Sequence, residues 1–149
     1  NSVMTVSKLM EMENNYILLS DSLKLIISQR LIRKLCPSCK VKSKIEKDEF
    51  KQVQRISKIF GKDIKVSEKE FYKPVGCDNC VRGYKGYAPV EEVLRITPKV
   101  KKAILRKSDE SMLLNVALSE GMIPMELLAL EKVFTGETSV NEVIRCFEV

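Results

Sequence analysis

The sequence predicts a mainly α-helical fold that carries a small β-containing, metal-binding subdomain. Two observations support this prediction. Apolar residues recur at helical spacing through most of the chain, and two Cys-x-x-Cys pairs lie well inside it. At 149 residues the chain is long enough for one hydrophobic core or for two small subdomains.

The first 35 residues predict two helices. Apolar side chains run at helical spacing from Val3 to Met10, which indicates the first helix. Asn14 and Asn15 are suitable caps for the second, and the apolar window Tyr16–Ile32 predicts a buried core helix. The residues expected to face its core are Ile17, Leu18, Leu25 and Ile26. Charged residues interrupt this window, so it is too polar to span a bilayer. We expect residues 29–35 to lead in extended form into the first cysteine pair.

The two cysteine pairs predict a metal site. Each pair offers two thiolates at the spacing at which a tight turn directs both sulfurs toward one ion. We therefore predict Cys36, Cys39, Cys77 and Cys80 as the ligands of a structural Zn²⁺ ion. Catalytic zinc keeps an open coordination position, whereas four thiolates close it. Rubredoxin-like iron, disulfides and a thiol redox switch are the alternatives, although the lone fifth thiol of Cys146 and the lack of a signal peptide favour a reducing cytosol.

The segment between the cysteine pairs predicts one amphipathic helix, Glu46–Phe60. Acidic residues occupy its first turn and Gly61 is placed to end it. The apolar positions expected to face the core are Phe50, Val53, Ile56, Ile59 and Phe60. Residues 65–72 form a connector back to the metal.

After Cys80 we expect a turn-rich loop, Val81–Tyr87, and then a strand, Ala88–Ile96. Cap and stop residues predict four helices beyond it. These are the helix from Thr97 and Pro98 to Arg106, the helix from Asp109 to Gly121, the helix from Pro124 to Gly136, and a last helix opened by a capping box of Ser139 and Glu142. The last helix is expected to bury Val140, Val143, Ile144 and Phe147. The methionines of this region, Met112, Met122 and Met125, are expected to fill the core.

Composition excludes several kinds of active site. The chain has no histidine, and none of its six glycines begins a phosphate-binding loop. No serine lies in a nucleophile elbow. The net charge of +6 comes from basic residues mixed with acids, which is typical of solvated helix faces. We therefore predict no catalytic or nucleotide-binding residue within this chain.

Several motifs resemble those of one protein family. The run Tyr16–Lys40 resembles the segment that leads into the tetracysteine motif of the GspE/PilB secretion ATPases, which power type II secretion and type IV pilus assembly. The runs Gly76–Gly86 and Glu92–Thr97 follow in the family's order, and Glu120–Met122 begins a tail like its C-terminal signature. Asn1–Leu9 is similar to the piece after the family's histidine box. One departure is the run from Gly86 to Glu91, which lacks the arginine common in the family.

The resemblance implies a C-terminal fragment of a hexameric ATPase that uses ATP and Mg²⁺ outside this fragment. Residues 1–35 correspond to the end of a RecA-like α/β domain, residues 36–96 to a zinc-binding subdomain and residues 97–149 to a C-terminal helical subdomain. The parent is expected to be cytoplasmic, at the inner-membrane face, and to dock on platform proteins of the secretion or pilus machine. We expect the fragment alone to be non-catalytic, with the loop Val81–Tyr87 and the helix Glu46–Phe60 as docking surfaces.

A nucleic-acid-binding zinc ribbon is the alternative function. Base stacking on Tyr84 and Tyr87, beside Arg82 and Lys85, is a common mode of binding nucleic acid. The other basic residues do not cluster near these two tyrosines. We therefore expect no nucleic-acid partner.

Overall fold

The computed structural model describes residues 1–147, and it contains seven α-helices and four β-strands within them. The helices are α1 (Ser2–Met12), α2 (Tyr16–Ser22), α3 (Lys47–Ile59), α4 (Pro98–Leu105), α5 (Glu110–Ser119), α6 (Met125–Phe134) and α7 (Val140–Phe147). The strands are β1 (Leu25–Leu35), β2 (Val41–Ser43), β3 (Phe71–Lys73) and β4 (Tyr84–Arg95). The expected mainly helical fold with a small β component is confirmed. None of the helices in the described part of the chain is long and apolar enough to cross a membrane.

The strands form two separate two-stranded sheets, β1 with β4 and β2 with β3. Lys24 accepts a hydrogen bond from Ile96, and Gly83 accepts one from Cys36, so β1 and β4 run in opposite directions. The β2–β3 pair is also antiparallel. Strand β2 follows the first cysteine pair and β3 precedes the second. Their pairing therefore brings together the two ends of the segment between the cysteine pairs.

The predicted caps Asn15, Thr97 and Asp109 are confirmed, and α1 and α3 have caps that were not predicted. Asn1, Asn15, Thr97 and Asp109 each accept a hydrogen bond from a first-turn backbone N–H of α1, α2, α4 and α5. Helix α3 begins with a capping box of Glu46 and Glu49. Since a cap satisfies backbone groups a few residues away, it is visible in sequence alone.

The expected buried helix over Tyr16–Ile32 is wrong. Helix α2 ends at Ser22, and β1 begins at Leu25. The β-branched residues of this stretch pack well on a pleated surface, and β4 supplies the backbone partners of a strand. Ile26 is buried as expected, but Ile17 is exposed. Two further apolar residues assigned to this core face, Leu18 and Leu25, are exposed as well.

Three smaller expectations also need correction. Met122 and Met125 are buried, but Met112 is exposed on α5. Ile59, assigned to the inner face of α3, is likewise exposed because it lies in the last turn. Strand β4 begins at Tyr84, so half of the expected loop is strand.

Residue contacts divide the chain into two compact units. The helical unit comprises Asn1–Gln29 and Glu91–Met125, and the cysteine unit comprises Arg30–Val90 and Glu126–Val149. The core of the helical unit is built from residues of α1, α2, β1, β4, α4 and α5 and from the loops that follow β4 and α5. Its buried members are Val3, Val6, Met10, Leu19, Ile26, Leu94, Ile96, Val100, Ala103, Ile104, Leu113, Ala117 and Met122.

The cysteine unit buries apolar side chains from its strands and from α3, α6 and α7. The most enclosed are Ile32, Val53, Ile56, Val90, Leu130, Val133 and Val143. Phe71 packs edge to face on Phe134, with ring centroids 6.0 Å apart. This unit also contains all five cysteines.

Candidate metal centre

The first cysteine pair is a tight turn at the end of β1. The backbone N–H groups of Cys39 and Lys40 both donate to the carbonyl of Cys36, at 3.3 and 3.0 Å. Cys36 is fully buried and Cys39 is partly exposed. This turn places both sulfurs on the same side of the backbone, as the spacing predicts.

The second pair repeats this geometry before β4. The N–H of Cys80 donates to the carbonyl of Cys77 at 3.1 Å, and the N–H of Cys77 donates to the sulfur of Cys80 at 3.3 Å. Gly83, just beyond, has φ +83°, and a Cβ there would lie 2.4 Å from the Cβ of Pro74. Its carbonyl accepts the N–H of Cys36 at 2.9 Å, so this glycine lets the two turns approach each other.

The structure brings all four predicted sulfurs together. The Sγ atoms of Cys36, Cys39, Cys77 and Cys80 lie within 4.8 Å of one another. Three of the separations are 3.9 Å (Cys36 to Cys77), 3.7 Å (Cys39 to Cys80) and 3.6 Å (Cys77 to Cys80). A tetrahedron of sulfurs around zinc, with bonds of about 2.3 Å, has edges of about 3.8 Å. The donor set therefore fits a four-coordinate thiophilic ion.

The same distances argue against disulfides in this arrangement. A disulfide joins its sulfurs at about 2.05 Å, far shorter than any of the three separations, and all five cysteines are free thiols. The alternative of a disulfide framework is therefore not supported. Tetrahedral thiolate sites bind both zinc and iron, so the geometry is compatible with either ion and the available metal decides which one is bound.

Thiol ionisation in the cluster is uneven before any ion binds. Burial raises the pKa of Cys36, but hydrogen bonds from the Ser38 backbone and neighbouring thiols more than offset this and bring it to about 7. The Asn79 backbone lowers the pKa of Cys77, yet the adjacent sulfurs raise it to about 12. A negative charge on one of four close sulfurs disfavours ionisation of the neighbouring thiols, so a bound cation is needed to ionise all four.

Side chains beyond the sulfurs support the first turn. Lys40 donates to the carbonyl of Gly136 at 2.7 Å, and its ammonium group lies 4.9 Å from the ring centroid of Tyr72. A Cβ on Gly136 would lie 2.8 Å from that ring. The cysteine turn, β3 and the loop between α6 and α7 therefore pack closely together.

Sequence reasoning missed a buried ion cluster around Glu142. This side chain is fully buried and accepts hydrogen bonds from the backbone N–H, Nε and Nη2 of Arg33 at 3.0, 2.9 and 2.5 Å. Arg145 donates to it at 2.8 and 2.6 Å. Burial raises the pKa of Glu142, but the two arginines outweigh that effect and lower it to about 2. The carboxylate therefore remains ionised throughout the physiological range.

This cluster corrects the expected capping box of α7. Ser139 does accept the N–H of Glu142 at 3.2 Å, but the Glu142 carboxylate binds the two arginines instead of returning to the cap. Of the side chains expected to be buried by α7, Val140 and Val143 are buried, while Ile144 and Phe147 are only partly so. No local signal could have revealed Arg33, because it lies more than 100 residues away in sequence.

The fifth cysteine lies apart from the metal centre. The sulfur of Cys146 is 3.2 Å from Nη2 of Arg145 and 3.6 Å from the Glu142 carboxylate. Burial, reinforced by the Glu142 charge, raises the pKa of this thiol. Cys146 is therefore a poor candidate for a metal ligand or a reactive thiol.

The loop Val81–Tyr87, predicted as a docking surface, is only partly exposed to solvent. Val81 and Tyr87 are exposed, but Tyr84 is buried and its hydroxyl is 2.7 Å from that of Ser139. The guanidinium of Arg33 covers the Tyr84 ring at 4.2 Å. A nucleic-acid-binding surface that depends on stacking over both tyrosines therefore loses one of them.

A closed tetrathiolate site on a mainly helical chain is typical of a metal-stabilised module rather than of an enzyme active site. Comparison with known proteins identifies its family. The model of the family described as "Type II/IV secretion system protein" matches residues 1–145, and the chain belongs to that family.

Three relatives illustrate this membership. The chain is 33% identical over 141 residues to the type IV pilus assembly ATPase PilB of Pseudomonas aeruginosa, covering 95% of this chain and 24% of that protein. It is 33% identical over 141 residues to PilB of Myxococcus xanthus, covering 94% and 24%. It is 35% identical over 143 residues to the type II secretion system protein E of Dickeya dadantii, covering 94% and 26%. The chain thus spans about a quarter of the length of the curated relatives it matches.

Proposed function

We propose that this chain is the C-terminal, zinc-containing module of a hexameric ATPase that powers type II protein secretion or type IV pilus assembly. The observation that carries the proposal is the coincidence of two features. The family match covers residues 1–145, and the four cysteines inside it have the spacing of a tetrahedral metal site. Relatives named as pilus assembly ATPases and secretion proteins support the parent's activity.

Within this proposal the parent's segments have distinct roles. Residues 1–35 complete a RecA-like domain, residues 36–96 carry the metal, and residues 97–149 form a helical subdomain. ATP and Mg²⁺ are bound elsewhere in the parent, because this chain has neither a phosphate-binding loop nor a histidine.

The zinc ion has a structural role in this proposal. It supplies four strong bonds that join the turn after β1 to the turn before β4. Cys36, Cys39, Cys77 and Cys80 would occupy all four positions, so no position remains for water or substrate. The chain's own contribution is to hold the sulfurs near the right separation, through the backbone hydrogen bond between Cys36 and Gly83.

The parent acts at the cytoplasmic face of the inner membrane, as a homo-hexamer docked on platform proteins. Two surfaces of the cysteine unit are suited to docking. Val81 and Tyr87 expose apolar surface beside the metal centre, and Ile59 does so at the end of α3. We propose no nucleic-acid partner.

Elemental analysis and ATPase assays test this proposal. We expect one zinc ion per chain after purification, and less than one in Cys39→Ser, with Cys146→Ser as the control that keeps the full amount. We expect ATP turnover by the full-length parent and none by the isolated chain. Turnover by the isolated chain, or a fully ordered chain that contains no metal, would refute the proposal.

A further inference from the structure

Glu92 carries a buried carboxylate that lies outside the metal centre. Its side chain belongs to β4 and is only 2% exposed. Burying a carboxylate is costly unless a cation or hydrogen bonds replace the water that it loses. Among the described residues 1–147, no lysine or arginine forms an ion pair with Glu92. The compensation therefore comes from hydrogen-bond donors.

Both carboxylate oxygens of Glu92 accept hydrogen bonds from backbone groups at the starts of helices. Oε1 accepts the N–H of Ser2 at 2.7 Å, and Oε2 accepts the N–H of Met125 at 3.2 Å. Ser2 is the first residue of α1, and Met125 is the first residue of α6. Such N–H groups have no partner within their own helix, and helix N-termini favour negative charge. One carboxylate thus satisfies donors that are 90 and 33 residues away in sequence.

The start of α1 is held at several points. Ser2 is fully buried, and its Oγ donates to the backbone carbonyl of Glu92 at 3.3 Å. Asn1 caps the helix by accepting the N–H of Met4 at 2.8 Å. Ser2, Glu92 and Met125 all belong to the helical unit. The direction in which the chain enters α1 is therefore fixed against β4 and the start of α6.

Apolar packing alone does not account for a carboxylate at this place. An apolar side chain of similar volume would fill the same space without the cost of burying a charged group. What the carboxylate adds is direction, because its two oxygens bind two fixed N–H groups and so define where both helices begin. A side chain with this property is suited to positioning rather than to filling the core.

We propose that Glu92 is a positioning residue for ATP turnover in the parent, because its bond to the N–H of Ser2 orients the residues that precede α1. This inference rests on the proposed function, in which those residues belong to the ATP-hydrolysing part of the parent. Asn1–Leu9 resembles the piece after the family's histidine box, so that box is expected directly before α1. Misplacing a group at a reaction centre by about 1 Å can lower the rate about a hundredfold.

Steady-state ATP hydrolysis by the full-length parent tests the proposal. Glu92→Gln replaces one carboxylate oxygen with an amide NH2 group, which cannot accept a backbone N–H. We expect kcat to fall about tenfold or more while KM for ATP changes less than about twofold, since the variant alters orientation and removes no contact to the nucleotide.

A second variant tests the same hydrogen bond from its donor side. In Ser2→Pro the first position of α1 is occupied by proline, which fits the start of a helix but has no N–H. We expect the same selective loss of kcat. Should Glu92→Gln fail to fold, Ser2→Pro decides the question, because it leaves the buried carboxylate unchanged.

Two control variants separate positioning from stability. Glu91→Gln removes a neighbouring carboxylate that is exposed on β4. Ile104→Ala weakens the core of the same unit without removing a hydrogen bond of Ser2. Both should keep the unmodified kcat at temperatures at which circular dichroism shows them folded. Hydrogen exchange in the parent should be faster in the first turns of α1 and α6 for Glu92→Gln than for Ile104→Ala.

Two results would overturn the inference alone. One is an active parent in which folded Glu92→Gln and Ser2→Pro hydrolyse ATP at the unmodified rate. The other is an equal fall of kcat in Ile104→Ala, which would show that general stability of the unit sets the rate. A parent that hydrolyses no ATP would instead refute the proposed function, and this inference with it.

Discussion

The helical unit and the cysteine unit are stabilised in different ways. The helical unit has a core cluster of thirteen buried apolar residues, which six elements and the loops after β4 and α5 contribute. The cysteine unit depends in addition on two polar centres, the four sulfurs and the ion cluster around Glu142. Both units therefore rest on apolar burial, and the cysteine unit adds polar groups that are brought together from distant parts of the chain.

The physical reason lies in the segment between the cysteine pairs. Residues 40–76 contain helix α3, two three-residue strands and many charged side chains, and few of their apolar residues are fully buried. Closing a loop of this length costs about 3 kcal/mol in chain entropy. A structural zinc site supplies about 10 kcal/mol or more, so the metal can fix a segment that apolar burial alone stabilises weakly.

Removing the metal tests the comparison with the largest expected effect. We expect a zinc chelator, or Cys36→Ser, to abolish hydrogen-exchange protection in α3 and the β2–β3 sheet while α1, α4 and α5 keep theirs. The reason is that about 10 kcal/mol of binding free energy is linked to folding of the cysteine unit alone. Hydrogen exchange followed by mass spectrometry measures both units in one sample.

Cys146→Ser is the matched control for this experiment, because its sulfur lies outside the four-sulfur cluster. It should retain full protection and full zinc content. Equal loss of protection in both units, or no loss in either, would contradict the comparison.

The next largest effect is expected from a substitution that creates a cavity in the core of the helical unit. Ile104 is fully buried in that core, so Ile104→Ala should lower the free energy of unfolding by about 2 to 5 kcal/mol. Urea denaturation measures this change, and a competition titration should show unchanged zinc affinity. Leu105→Ala, next to it but exposed, should cost less than about 0.5 kcal/mol. A loss of zinc affinity in Ile104→Ala would show that the two kinds of stabilisation are not separable.

The ion cluster provides a third test. Glu142→Gln should lower the free energy of unfolding at neutral pH by about 3 kcal/mol, because the pKa of Glu142 falls to about 2 in the folded chain from an unfolded value of about 4.3. A carboxyl group whose pKa is lower in the folded chain than in the unfolded chain contributes its full stabilisation at pH values above the unfolded pKa. The difference between the unmodified chain and the variant should therefore be constant from pH 7 to 5 and shrink as pH falls from about 4.3 toward 2.

Urea denaturation at several pH values measures this difference. Both proteins have the same cysteines, so the loss of zinc in acid affects their unfolding free energies equally and does not change the difference between them. Glu137→Gln is the control. Glu137 pairs with Lys132 at 2.9 Å but is partly exposed, so its loss should cost less than about 1 kcal/mol. A difference that grows with acidification would show that the Glu142 pKa is not lowered.

What sequence predicted and what it missed divide along physical lines. The caps Thr97 and Asp109 were predictable because they bond within one helical turn. The four cysteines were predictable because their spacing is itself the signal. Strand β1 and the partners of Glu142 were not, since a strand partner and a buried counter-ion lie tens of residues away and leave no periodic pattern.

The smallest expected effect concerns how closely the first cysteine turn is packed. Gly61 and Gly136 both have positive φ, at +61° and +68°, so alanine at either position costs about 1 kcal/mol in backbone strain. Nothing lies within 4 Å of a Cβ at Gly61, whereas a Cβ at Gly136 would lie 2.8 Å from the ring of Tyr72. Gly136→Ala should therefore destabilise the chain by about 1 kcal/mol more than Gly61→Ala, and adding Tyr72→Ala should abolish that excess. Equal effects of the two alanines in urea denaturation would mean that Tyr72 moves freely and that the close packing around Lys40 does not stabilise the cysteine unit.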